Sequence, residues 1–93
     1  MTHFLYVLYS KLHDRFYIGQ SSNLQYRLYQ HNSGKVRSTK AFRPWIIGYT
    51  EEFASRIESI KRETYLKSPP GWNDLQEIKQ QIKKNLSNQK STL

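Results

Sequence analysis

The chain has 93 residues, no cysteine, and fifteen Lys plus Arg against seven Asp plus Glu, a formal charge of +8. That length fits one small domain with little core to spare, and the missing cysteines exclude disulfide staples, thiolate nucleophiles and cysteine-based zinc sites together. No basic start followed by an apolar run opens the chain and no stretch approaches the ~20 apolar residues of a membrane span, so a cytoplasmic protein with a polyanionic partner such as nucleic acid, and no membrane, is expected.

His3 to Ser10 is aromatic and β-branched with almost no charge, which predicts a strand buried on both faces. Lys11 to Arg15 reads as a polar turn, and Phe16-Tyr17-Ile18-Gly19 as a second short strand ended by Gly19 and paired with the first in an antiparallel hairpin. Ser22-Asn23-Leu24-Gln25 has the spacing of a capping box, with Ser22 as the cap, so a helix is expected to begin there and to stop at Gly34. Within it Leu24 and Leu28 share one face and Arg27 and His31 another, because residues four apart are neighbours on a helix.

Lys35 to Pro44 is a basic loop, and Trp45 to Thr50 predicts the third strand. From Phe53 to Lys67, Phe53, Ile57 and Ile60 recur at helical spacing and predict a second helix with those residues on its buried face, ended by Pro69-Pro70-Gly71. Asn73 can cap a third helix, in which Leu75, Ile78, Ile82 and Leu86 form an apolar stripe and Lys79, Lys83 and Lys84 stay wet. The expectation is one domain over residues 1–86, a flexible tail over 87–93, and an α+β fold: a three-stranded antiparallel sheet flanked by helices in the order β-β-α-β-α-α.

Charge is unevenly spread. The thirty-six residues between Asp14 and Glu51 contain no acid, and Arg15, Arg27, Lys35, Arg37, Lys40 and Arg43 all fall among them. Basic surfaces often serve only solubility, but an acid-free block interleaved with tyrosines favours a phosphate-binding surface. Few groups elsewhere can do chemistry. Strand tyrosines usually pack with a wet hydroxyl, and Tyr9 and Tyr49 are read so; His3 and His13 are read as ordinary structural histidines. Ser33-Gly34-Lys35 lacks the earlier glycine of a phosphate loop and follows a helix, so it is rejected as one. Taken alone, Glu63 would be an exposed helix glutamate paired with Ser59 or Lys67.

The ordered set Phe4-Leu5-Tyr6, Tyr17-Ile18-Gly19, Arg27 with His31, and Glu63 resembles the GIY-YIG nuclease domain. His31 to Lys35, Arg43-Pro44-Trp45 and Lys61-Arg62-Glu63 are similar to its small stand-alone bacterial members, the UPF0213 type. The resemblance covers about residues 3–80, with Phe4-Leu5 where the name-giving motif has Gly-Ile and with Gln20 after the second motif. It implies a metal-dependent endonuclease that hydrolyses DNA phosphodiester bonds, branched or damaged DNA included.

In that reading Tyr17 or Tyr6 is the base or orients the attacking water, which needs a nearby cation because a free phenol has a pKa of about 10. Arg27 supplies the cation and its planar fork suits two phosphate oxygens. His31 bonds a tyrosine or phosphate, and Glu63 holds one magnesium or manganese ion (Mg²⁺ or Mn²⁺), a hard cation that accepts a single carboxylate with waters and substrate oxygens. Lys35, Arg37, Lys40 and Arg43 join Arg27 in contacting the nucleic acid. Two rivals remain: a non-catalytic nucleic-acid-binding module on the same fold, and an interaction protein whose charge serves solubility. Oligomeric state and DNA specificity are open.

Overall fold

The computed structural model describes residues 1–91. Its elements run β1 (His3–Ser10), β2 (Arg15–Ser21), α1 (Leu24–Asn32), β3 (Ile46–Phe53), α2 (Arg56–Leu66) and α3 (Trp72–Ser91), with single 3₁₀ turns at Lys40–Phe42 and Pro69–Gly71. This is the expected α+β order. The strands pair antiparallel in the order β2-β1-β3, so β1 is central and buried on both faces as its composition requires. Among the described residues no helix is long and apolar enough to cross a membrane.

Strand alternation divides the core in two. Leu5, Val7 and Tyr9 point to one face, where Ile18, Leu66 of α2, and Leu75, Ile78 and Ile82 of α3 cover them. Tyr6 and Leu8 point to the other, with Trp45 and with Tyr17, Leu24 and Leu28 packed against them. Each such aliphatic side chain taken fully out of water stabilises the fold by about 1.5–3 kcal/mol. The stripe expected on the third helix is therefore the layer that closes the first face.

Several boundaries differ from expectation, each for a local reason. Gly19 does not end β2 but lies inside it, opposite Tyr6. The cap of α1 is Asn23 rather than Ser22: the chain stays extended through Ser21, and Asn23 Oδ1 accepts the Tyr26 backbone N–H at 3.1 Å. The helix stops at Asn32, and Gly34 takes a φ of +82°, open to glycine at no steric cost. β3 begins after Trp45 and runs on to Phe53, which pairs with His3 and so belongs to the sheet, not to α2.

The buried face of α2 is also not the expected one. Ile57 and Ile60 are exposed at 67% and 37%, while Ser59 and Leu66 are buried and Arg62 and Glu63 half-buried. Helix α2 starts only at Arg56, with Ser55 as cap, so the sheet-facing stripe is Ser59, Arg62, Glu63 and Leu66. Asn73 caps nothing: the 3₁₀ turn over Pro69–Gly71 leads directly into α3, which already includes Trp72. Helical backbone continues past the boundary drawn at residue 86, and residues 92–93 of the tail expected over 87–93 lie outside the described residues.

Candidate active site

Tyr6 is the hub of the α1 side of the sheet. It is 2% exposed, and its ring lies across its β2 partner Gly19: a methyl group there would come within 2.5 Å of the Tyr6 hydroxyl oxygen. Glycine at that position is what lets a residue of the central strand reach toward the sheet edge. Helix α1 brings two partners. Arg27 Nε donates to Tyr6 Oη at 3.4 Å, and His31 Nε2 lies 3.1 Å from the same oxygen.

The bonds fix the direction of the protons. Thr39 Oγ1 donates to the Val36 carbonyl at 3.3 Å, so it accepts from His31 Nδ1, 2.8 Å away. With Nδ1 protonated, Nε2 carries the lone pair and accepts the Tyr6 proton. His31 is fully buried, and burial first, the Arg27 charge second, pull its pKa down from 6.5 to about 4. Burial raises the Tyr6 phenol, opposed by the hydrogen bond and charge of Arg27, with Tyr17 and Glu63 adding to the rise. The Arg27 pKa is raised, chiefly by its bond to Tyr6, and its Nη1 is steadied by Gln30 Oε1 at 2.8 Å.

Tyr17 and Glu63 complete the arrangement from β2 and α2. The Tyr17 ring packs 4.8 Å from that of His31 and 6.4 Å from that of Tyr6, and Tyr17 also acts electrostatically on Arg27. Glu63, with a side chain 24% exposed, is close enough for its charge to act on Tyr6. Its Oε2 is paired at 2.6 Å with Lys67 Nζ, one turn on, and that ammonium stands 5.8 Å from the centre of the Tyr17 ring. Two phenols, a guanidinium, an imidazole and a carboxylate therefore gather from four elements far apart in the chain.

The predicted basic residues divide. Arg27 is in this cluster, whereas Lys35, Arg37, Lys40 and Arg43 are exposed on the loop that follows α1. That loop is pinned to the site: the Trp45 indole donates to the Thr39 carbonyl at 2.9 Å, and Asn32 clamps the Trp45 backbone through Nδ2 to the carbonyl at 2.9 Å and Oδ1 from the N–H at 2.6 Å. Arg43 Nε donates to the Lys40 carbonyl, and Lys35 Nζ sits 5.7 Å over the Tyr29 ring. Thr39 and Gln30 have no sequence signal beyond the placement of Thr39 inside the acid-free block, and Asn32 has none beyond its place in the family-like stretch His31 to Lys35. Lys67 was foreseen as a partner of Glu63, but not its position against Tyr17.

Among the described residues no three His, Cys, Asp or Glu side chains group as a metal site. The donor set at the cluster is one carboxylate, Glu63, which suits a hard divalent cation whose other ligands are water and phosphate oxygens. Lys67 holds one oxygen and leaves Oε1 for such an ion.

Comparison with known proteins identifies the family. UPF0213 proteins of Staphylococcus haemolyticus and Bacillus pumilus are 34% and 41% identical over 67 and 68 residues, each alignment covering 71% of this chain and 80% and 67% of the relative. The solution structure of a UPF0213 protein from Bacillus halodurans superposes with a TM-score of 0.49 at 27% identity, over 84% of this chain and 85% of that one. Residues 2–73 match the sequence profile of the GIY-YIG catalytic domain. That span takes in every element from β1 to α2 together with Tyr6, Tyr17, Arg27, His31 and Glu63, and the chain belongs to the GIY-YIG family of endonucleases.

Proposed function

We propose that this protein is a cytoplasmic, metal-dependent endonuclease that hydrolyses DNA phosphodiester bonds at the Tyr6–Tyr17–Arg27–His31–Glu63 cluster. The observation that carries the reading is the direct bonding of Tyr6 to both Arg27 and His31, with the Tyr17 ring against His31 and the Glu63 charge felt by the Tyr6 phenol. Hydrolysis needs an oriented water, a base, and positive charge against the extra negative charge on phosphorus.

Tyr17 is half-buried where Tyr6 is closed off, so Tyr17 meets the attacking water, with the Lys67 ammonium above its ring and Arg27 beside it. Tyr6 holds the Arg27 guanidinium at its Nε and Gln30 at its Nη1, which leaves Nη2 for a phosphate oxygen. His31, neutral near pH 7, accepts the Tyr6 proton and keeps that phenol oriented. Glu63 would hold a magnesium or manganese ion (Mg²⁺ or Mn²⁺), which supplies Lewis-acid polarisation of a phosphate oxygen. Lys35, Arg37, Lys40 and Arg43 neutralise flanking phosphates from the loop.

One feature favours a second reading, a nucleic-acid-binding module that does not cut: the Lys67 ammonium already neutralises Glu63. Plasmid nicking decides between them. With Mg²⁺ or Mn²⁺ the protein should nick plasmid, and Glu63→Ala and Arg27→Ala should each lower the rate about 10²–10³-fold. Tyr17→Phe should do likewise, and a larger loss in Tyr6→Phe would exchange the roles of the two phenols. DNA retention without metal-dependent cutting would establish the binding module instead.

A further inference from the structure

We propose that the groove between β2, the end of α2 and the start of α3 is a subsite for an unpaired nucleobase of the strand being cut. The inference rests on the nucleic-acid reading above and extends it to the form of DNA preferred. The groove holds about 470 Å³, with Ile18, Leu66 and Leu75 as lining, Pro69 and Trp72 beside them and Lys67 at the margin. This volume suits a planar heterocycle.

Three observations select the occupant. Trp72 is 62% exposed, a large aromatic face left in water next to aliphatic side chains, and an indole stacks well on any base. Lys67 belongs to this groove and borders the cluster at once, through its contacts with Glu63 and the Tyr17 ring; the groove lies on the other face of the sheet and meets the cluster at this side chain, so a strand passing round the edge at Lys67 would place a base in the groove with a phosphate at the cluster. The ammonium at the groove margin complements a phosphate flanking the stacked base, on a chain carrying a formal +8. A base inside a duplex has both faces covered by its neighbours, so the groove accepts one that is flipped, flapped or frayed.

Tryptophan emission reads this directly, because Trp45 is 3% exposed with its indole N–H bonded to the Thr39 carbonyl and cannot stack on a ligand. The whole protein is titrated in EDTA, so that no strand is cut, with a short single-stranded oligonucleotide and with a blunt duplex of the same length. The single strand should quench the exposed tryptophan and the duplex should not. Trp72→Ala should weaken single-strand binding about tenfold, leave duplex binding unchanged and keep the far-UV spectrum, while Trp72→Phe should restore most of the affinity. A single strand that binds without quenching, or that binds Trp72→Ala as tightly as wild type, overturns the subsite and leaves the nuclease reading standing. Failure of the wild-type protein to bind either form overturns both. If Trp72→Ala does not fold, wild-type quenching and the Trp72→Phe affinity decide.

Discussion

His31 is a buried imidazole that folding keeps neutral, and this makes stability depend on pH in a stated direction. Its folded pKa of about 4 lies below the ordinary 6.5. Between those values the unfolded chain takes up a proton that the folded one does not. Stability therefore falls as pH drops below 6.5 and the loss levels off below about 4, amounting to at most about 3 kcal/mol. Urea titrations from pH 7 to pH 4 should show this slope, and His31→Gln should flatten it; an equal slope in the variant would mean that other groups carry the acid sensitivity. Lys67 gives a second expectation of the same scale. An i, i+4 ion pair contributes only about 0.3–0.5 kcal/mol to stability, so Lys67→Met should leave the melting temperature nearly unchanged. It should also free Glu63 Oε2 and tighten Mn²⁺ binding a few-fold, as read by the Mn²⁺ electron paramagnetic resonance signal.

Helix α2 shows how far its own sequence can mislead. The spacing of Phe53, Ile57 and Ile60 pointed to an apolar buried face, yet β3 takes Phe53 and the face against the sheet carries Ser59, Glu63 and Leu66. A half-buried carboxylate on the inner face is unfavourable for packing alone, and local pattern cannot anticipate a site that requires it. Ile57→Ser should change stability by less than about 0.5 kcal/mol, whereas Leu66→Ala should cost about 2–5 kcal/mol; chemical denaturation of the two variants checks the assignment of faces.

The rest of the site was unevenly legible. Arg27 and His31 were readable together because helical spacing fixes their neighbourhood, whereas Tyr6 and Tyr17 stood out from ordinary packed strand tyrosines only through family resemblance. Thr39 and the Asn32–Trp45 clamp were not readable, since an irregular loop places them through contacts that have no period. Helical spacing from Ile57 and Ile60 put Glu63 only near the edge of the expected buried face, and its role was reached from family resemblance.

For the whole molecule, the expected measurement is ionic. Fifteen basic against seven acidic side chains, with the acid-free block supplying both Arg27 and the exposed loop cations, make phosphate neutralisation the main source of affinity on the proposed nucleic-acid reading. Each phosphate contacted releases condensed counterions, so log affinity should fall linearly with log salt with a slope of about −0.9 per contact on duplex DNA. Replacing Lys40 or Arg37 should reduce that slope by about one contact each without changing sequence preference. A slope near zero would point to a surface whose charge serves solubility.

The position of β2 in the sheet order has one more consequence. It is an edge strand, Tyr17 hangs from it, and Tyr6 lies against Gly19 of it, so the phenols of the proposed site stand at the flank of the sheet. A polymer can lie alongside such a flank at any point of its length. Such access from the side suits the proposed cutting within a strand, which does not require a chain end at the site.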